Sequence, residues 1–123
     1  MKTNKELKAE YKLMKFPTGV YQIRNTKNGK IFVDSSTQLD KVWNSKRFQL
    51  QLGGHPNRSL QADWNTFGED AFVFEILDEV RQLDDERELD FKKEAEVLKE
   101  LFIEELQPFG EKGYNNSPKN RIF

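Results

Sequence analysis

Cysteine is absent from this 123-residue chain, which excludes disulfide bonds and thiolate metal sites and leaves the redox compartment undecided. Long apolar runs are absent too, since none approaches the roughly 18 residues that a membrane-spanning helix needs. Residues 1–16 are charged throughout and lack the apolar stretch of a signal peptide. These absences predict a soluble cytoplasmic protein with no membrane partner.

The apolar content is low at 36%, but 10 Phe and 2 Trp residues supply large side chains for one core. The formal net charge of −1 hides an asymmetry. Residues 1–66 carry 12 Lys and Arg against 5 Asp and Glu, whereas residues 67–123 carry 8 against 16. A basic half can follow nucleic-acid phosphates. Equally, the two halves could pair within the fold or form solvated surfaces.

Helical and extended patterns alternate along the chain. Asn28-Gly29 is a strong hairpin-turn signal, Asn57 is a candidate helix cap and Gly68 a helix stop. The predicted helices are residues 3–15, 37–52, 58–67 and 83–107, and the predicted strands are residues 18–24, 30–35 and 71–77. The last strand is aromatic or β-branched at most positions, which favours a central place in the sheet.

This order of elements predicts an α+β domain, in which a small three-stranded mixed or antiparallel sheet is flanked by helices. An N-terminal helical extension is expected over residues 1–17, the domain over residues 18–116 and a tail over residues 117–123. One face of the last strand and one stripe of the long acidic helix are predicted to be buried. They comprise Phe72, Phe74 and Ile76, and Phe91, Ala95, Leu98, Phe102 and Leu106.

Several linked segments follow the pattern of one nuclease family. Gly19-Val20-Tyr21 with Ile31-Phe32-Val33 resembles the opening hairpin of the GIY-YIG nucleases, in particular the type found in homing endonucleases. Further segments, in the same order, resemble the rest of that domain over roughly residues 18–116. They are Val33-Asp34-Ser35-Ser36, Trp43, Leu60-Gln61, Trp64-Asn65, Phe67-Gly68, residues 74–79, residues 102–106 and Gly113-Tyr114-Asn115. The resemblance implies the GIY-YIG fold.

The resemblance also implies a chemistry, metal-assisted hydrolysis of a phosphodiester. In that family two tyrosines and an arginine act around the phosphate, and a glutamate on the late helix holds a divalent cation. Tyr21 matches the first tyrosine. His55, the only histidine, matches a histidine of the homing enzymes. Tyr21 and His55 are therefore the candidate catalytic residues.

Three positions depart from the family pattern. Phe32 stands in place of the second tyrosine, Val42 in place of the arginine and Lys99 in place of the metal-binding glutamate. Asp34 also replaces the usual glycine after the second strand. The first two changes remove hydrogen-bond donors from the transition state, and a lysine adds positive charge where a cation would sit. Together they predict impaired or lost cleavage.

Basic and polar side chains near these positions are candidates for nucleic-acid binding. They are Lys41, Lys46, Arg47, Arg58 and Asn115. Lys46 falls where many homing enzymes have a histidine. No metal ligand is predicted in this register, and Glu96 or Glu100 would serve only if the alignment shifted along the helix. Magnesium or manganese is therefore expected only in an active enzyme, and no cofactor otherwise.

Each candidate also has a structural alternative. Tyr21 can be a half-buried strand aromatic, and His55 can be a loop or capping residue. Asn115 can pin the closing segment, and the basic side chains can form a solvated helix face.

Three functions stay open at this point. The first is a GIY-YIG protein that binds DNA or RNA with impaired or lost endonuclease activity. The second is an active, divalent-metal-dependent endonuclease with a rearranged site. The third is a protein-interaction module on a nuclease scaffold, which offers its acidic late helix or N-terminal helix to a protein partner.

Overall fold

The computed structural model describes residues 16–82 and 88–117 and has three strands and three helices there. They are β1 (Gly19–Asn25), β2 (Ile31–Ser36), α1 (Leu39–Gln51), α2 (Arg58–Phe67), β3 (Phe72–Glu79) and α3 (Glu88–Leu106), with a 3-10 turn at Glu69–Ala71. The predicted α+β class is confirmed. The helix predicted over residues 3–15 and nearly all of the predicted tail lie outside the described residues. No helix in the described ranges is long and apolar enough to cross a membrane.

The sheet has the order β2-β1-β3 and is antiparallel throughout. The prediction that β3 is central is therefore wrong, and β1 takes that place. The physical reason is that a nearly continuous apolar run reports burial on both faces of a strand. Such a run does not fix strand order, however: in β3 only Phe72 is buried, and the strand has a hydrogen-bonded neighbour on one side only.

The turn between β1 and β2 is the predicted Asn-Gly turn. Gly29 has a φ of 78°, which glycine adopts without strain. Its N–H donates to the carbonyl of Asn25 at 2.8 Å and closes the turn. This turn fixes the hairpin register, and that register pairs Tyr21 with Asp34.

The two faces of the sheet carry separate apolar clusters, because side chains alternate along a strand. On one face, Tyr21 and Ile23 pack with residues of α1 and α2. On the other face, Val20 and Val33 pack with Ile103 of α3. All five side chains are buried. The helix α3 thus covers the face opposite to α1 and α2.

The two apolar faces predicted from the sequence are only partly buried. On β3, Phe72 is buried and Phe74 half-buried, but Ile76 is 47% exposed, because an edge strand is covered from one side only. On α3, Leu106 at the last residue is 36% exposed, while Ile103, outside the predicted stripe, is buried. The buried face of α3 is therefore rotated by about one residue at its end.

α2 begins and ends at the predicted residues. The side chain of Asn57 accepts the N–H of Leu60 at 2.9 Å, which confirms it as the N-cap. Gly68 follows the helix with a φ of 87°. The cap fixes the loop between α1 and α2, in which the histidine lies.

The closing segment after α3 returns to the outer edge of β2. Gly113 forms a parallel bridge with Ile31, and the N–H of Tyr114 donates to the Ile31 carbonyl at 2.8 Å. A Cβ at residue 113 would overlap the carbonyl oxygens of Pro108 and Ile31, so this approach requires glycine. Asn115 is thereby brought beside the middle of β2.

Candidate functional site

Tyr21 lies buried in the sheet, opposite Asp34 on β2. Its side chain is 0% exposed, and its ring packs on Phe74 with centroids 5.3 Å apart. The hydroxyl has no hydrogen-bond partner among the described residues. Burial raises the pKa of Tyr21, and the negative charge of Asp34 and hydrogen bonding to its carboxylate raise it further, so Asp34 is close to the hydroxyl although no well-formed hydrogen bond joins them. At neutral pH the hydroxyl therefore keeps its proton and acts as a donor.

His55 lies in the loop between α1 and α2 and is 5% exposed. Its ring meets Phe32 edge-on, with centroids 5.5 Å apart. Nδ1 accepts the N–H of Asn57 at 3.0 Å, so the neutral ring carries its hydrogen on Nε2. Nε2 has no partner in the described part of the chain. Burial lowers the pKa of His55, and the positive charge of Lys46 lowers it further. His55 is thus a neutral donor.

Lys99 and Asp34 meet at a groove between β2 and α3. Lys99 Nζ lies 3.9 Å from Asp34 Oδ1, and the two side chains are 25% and 34% exposed. The groove has a volume of about 260 Å³. The rest of its lining is Phe32, Val33, Glu100, Ile103, Asn115 and Asn116. The charge of Asp34 also acts on Tyr21 and on His55, so this one carboxylate connects three of the candidate positions.

The two glutamates that a shifted register would recruit lie in different places. Glu100 lines the groove with Asp34, whereas Glu96 lines a separate pocket beside residues 35–37. Within residues 16–82 and 88–117, no three His, Asp or Glu side chains gather as a metal site would require. A hard divalent cation needs several oxygen ligands and is repelled by an ammonium. With Lys99 beside Asp34, the donor set does not fit such a cation.

Three of the candidate cations lie on the surface of α1 and α2. Lys41 has its Nζ 5.8 Å from the centre of the Phe16 ring. Arg47 has its Nε 3.8 Å from Glu69 Oε1. Arg58 is exposed at the first residue of α2. Two of these three side chains thus already contact another residue of the chain.

The remaining candidates lie under α1, beside His55 and in the groove, respectively. Val42 is half-buried on α1 and packs on the apolar cluster beneath that helix. Lys46, one turn further along α1, is near enough to His55 for its charge to lower that pKa. Asn115 accepts the N–H of Val33 at 2.9 Å and donates to its carbonyl at 2.8 Å. Asn115 therefore holds the closing segment on β2 while it lines the groove.

The central role of Asp34 is what sequence reasoning missed. The sequence marks Asp34 only as a replacement for glycine. The alternation of β2 puts Asp34 on the same face as Phe32, and the hairpin register pairs it with Tyr21. An acidic side chain beside a buried aromatic needs a cationic partner, and this signal could have drawn attention to it. That the partner is Lys99 depends on how α3 docks, which the sequence does not state.

The sequence of this chain is similar to that of a known phage protein. No protein-family model matches the chain. Over 63 residues, which are 51% of this chain, it is 36% identical to intron-associated endonuclease 1 of Enterobacteria phage T4. That match spans 25% of the phage protein, so the chain corresponds to about a quarter of this relative.

Two solved structures of the catalytic domain of the intron endonuclease I-TevI resemble the fold described here. A single-site variant of that domain superimposes with a TM-score of 0.67, at 30% identity, over 81% of this chain and 93% of the solved one. The other, described as the catalytic domain of a homing endonuclease, gives a TM-score of 0.62 at 30% identity, over 81% and 98% of the two chains. The likeness thus covers nearly all of each solved domain.

Proposed function

This chain belongs to the family of the GIY-YIG homing endonucleases, and on that premise we propose that it binds nucleic acid while its endonuclease activity is impaired or lost. DNA is the ligand we propose first, because the relatives are an intron-associated and a homing endonuclease. RNA is the alternative ligand. The chain keeps the fold of a phosphodiester-cleaving domain, and the proposal concerns what the altered groove can still do.

The observation that carries the proposal is the ion pair between Lys99 and Asp34. It puts an ammonium at the position where the resemblance expects a metal-binding carboxylate. Phe32, where the resemblance expects a tyrosine, meets His55 through its ring and offers no hydroxyl. By analogy with single oxyanion donors, each lost donor raises the barrier by about 2–4 kcal/mol. Loss of a cation and of two donors would leave little hydrolysis.

Binding requires less than cleavage, because cations alone attract the phosphate backbone. Lys99 supplies positive charge in the groove, Lys46 lies near His55, and Arg58 is exposed on the neighbouring helix. Tyr21 and His55 add two donors. Of these groups only Lys99 lines the groove, while Tyr21 and His55 lie beside it near Asp34, and Lys46 lies near His55. We propose that together they hold a phosphate without activating water against it.

Two assays on one folded sample test the proposal. Fluorescence anisotropy with labelled DNA and RNA at rising salt should show affinity that falls linearly on logarithmic axes. A supercoiled-plasmid assay with magnesium or manganese should show no nicking at protein concentrations that saturate the DNA. Undetectable binding at low salt would remove the binding part, and efficient nicking would remove the loss of activity.

A matched pair of variants makes the binding assay specific. Lys46→Ala should lower the salt slope by about 1, as the loss of one phosphate contact does. Lys93→Ala, an equal change on α3 beside Val97 and Leu101 and outside the groove, should leave both slope and affinity unchanged. Equal loss in both variants would mean that binding follows net charge and not the proposed surface.

A rearranged, active endonuclease is the second candidate, and the position of Glu100 in the groove favours it. In that case nicking would depend on a divalent cation and would disappear in Glu100→Gln. Glu96→Gln, in which the altered side chain lines the other pocket, would keep the activity. A stable protein partner without nucleic-acid binding would instead support the interaction module.

A further inference from the structure

Lys99 and Asp34 form a charge pair at the positions where the resemblance expects a metal-binding glutamate and a glycine. We propose that this pair replaces the divalent cation, and that the Lys99 ammonium is a fixed positive charge that binds a nucleic-acid phosphate without metal. The inference rests on the proposed function, because the phosphate belongs to the nucleic acid. Beyond the proposed function, the inference names Lys99 as the residue that holds the phosphate and states that this binding does not require a metal ion.

The geometry of the pair leaves the ammonium able to bind a ligand. At 3.9 Å, Nζ and Oδ1 attract each other by charge but lie beyond hydrogen-bond distance. An ammonium has three N–H donors, which can turn towards a ligand oxygen while the carboxylate keeps the side chain in place. The Lys99 side chain is 25% exposed and lines the groove, so a ligand in the groove can reach it.

Two buried donors provide a second, independent observation. The Nε2–H of His55 has no partner in the described ranges, although His55 is only 5% exposed. The Tyr21 hydroxyl, on a fully buried side chain, makes no well-formed hydrogen bond there, and the Asp34 carboxylate lies close enough to act on it as an acceptor. Both lie within reach of the Asp34 charge. A buried donor without a partner costs stability, which a ligand acceptor would recover. A phosphate offers several acceptor oxygens and no donor, so it matches this set of groups.

The role of Asp34 follows from the same charges. Alone, its carboxylate would repel a phosphate; the nearby Lys99 ammonium offsets that repulsion, and its N–H donors bind the ligand. Lys46, whose charge reaches His55, adds a second cation nearby. The site therefore places two cations, Lys99 and Lys46, and the donors of Tyr21 and His55 around the carboxylate of Asp34, with Glu100 also lining the groove.

Charge reversal at Lys99 provides the sharpest test. Lys99→Glu puts a second carboxylate beside Asp34 and should create a manganese site that the wild-type protein lacks. Manganese should then raise the melting temperature of Lys99→Glu, because a ligand that binds only the folded state stabilises it. It should leave the wild-type protein and the double variant Lys99→Glu/Asp34→Asn unchanged. Lys93→Glu, the same change elsewhere on α3, is the matched control.

Either of two outcomes of these melting curves would overturn the proposal. One is stabilisation of the wild-type protein by manganese to the same extent as Lys99→Glu. The other is no stabilisation of a folded Lys99→Glu, with folding checked by circular dichroism.

The second arm measures nucleic-acid affinity. Wild-type affinity should agree within about twofold in a chelator and in magnesium at matched ionic strength. Lys99→Ala should weaken binding by about tenfold or more, as loss of a charge-assisted hydrogen bond does, and Lys93→Ala should not. Lys99→Gln, which keeps the length of the side chain, takes the place of Lys99→Ala if that variant does not fold.

The arms separate the two proposals. If Lys99→Ala binds as tightly as the wild-type protein, Lys99 holds no phosphate and this inference fails while nucleic-acid binding stands. If the wild-type protein binds neither DNA nor RNA at low salt, the proposed function fails. The manganese melting curves then still decide whether the ion pair has replaced the cation.

Discussion

Removing the hydroxyl from two buried tyrosines, Tyr21 and Tyr114, should change the unfolding free energy in opposite directions. Tyr21 is 0% exposed, and its hydroxyl has no hydrogen-bond partner in the described residues. Tyr21→Phe therefore removes a desolvated donor and keeps the ring that packs on Phe74. An unpaired buried hydroxyl costs about 1–3 kcal/mol. The unfolding free energy of the variant should rise by that amount. Each kcal/mol corresponds to an increase of about 4 °C in melting temperature for a chain of this size.

Tyr114 is the matched control. Its hydroxyl donates to Asp63 Oδ2 at 2.6 Å and accepts from Asn25 Nδ2 at 3.1 Å. Asn25 is 0% exposed, so Tyr114→Phe deprives a buried amide of this partner. That variant should lose about 1–3 kcal/mol of unfolding free energy. The same chemical change thus separates a hydroxyl that stabilises the fold from one that does not.

Urea denaturation followed by tryptophan fluorescence gives both unfolding free energies on one scale, because Trp43 and Trp64 lie in the Tyr21 cluster. Nucleic-acid affinity should fall in Tyr21→Phe although that variant is the more stable, and should be unchanged in Tyr114→Phe. If Tyr21→Phe instead loses more than about 1 kcal/mol, its hydroxyl is bonded in solution. Asp34 would be its partner, and the reasoning from an unpaired donor would be refuted.

Three further changes test other parts of the structure. Asn115→Ala should cost about 2 kcal/mol in urea denaturation, because both backbone groups of Val33 lose a partner. Gly19→Ala should cost about 3 kcal/mol or more in the same assay, since a Cβ would overlap the carbonyl oxygen of Asp78. The lowered pKa of His55 makes the unfolding free energy depend on pH. Below about pH 6.5 His55 takes up a proton in the unfolded chain more readily than in the folded protein. The protein should therefore become less stable as the pH drops from about 7 to 5. His55→Gln should flatten that slope in denaturation curves measured across the same range.

Local signals in the sequence predict the local structure well. Asn28-Gly29 gives the hairpin turn because glycine tolerates the positive φ at its second residue. Asn57 and Gly68 bound α2 because a cap and a stop act within a few residues. The place of β3 at the edge could not be predicted in this way, because strand order depends on contacts between residues distant in sequence.

Contacts between residues distant in sequence also limit what can be predicted of the candidate site. The resemblance and the strand pattern direct attention to Tyr21 and Phe32, and the hairpin register follows from the turn. The pair of Lys99 with Asp34 joins residues 65 positions apart and depends on how α3 lies on the sheet. Asp34 and Lys99, which look like separate departures from the family pattern in the sequence, form one ion pair in the structure. This pairing is what led us to propose that they act together.

The unpaired donors also discriminate among the three functions. A scaffold kept only for protein interaction gains nothing from a buried Tyr21 hydroxyl or His55 Nε2–H without partners, because each costs stability. Phenylalanine would fill the place of Tyr21 with the same ring. An active metal enzyme would have to bind its cation through Asp34 and Glu100 despite the adjacent Lys99 ammonium. On our proposal a bound phosphate satisfies these donors, and opposite effects of Tyr21→Phe on stability and on nucleic-acid affinity would support it.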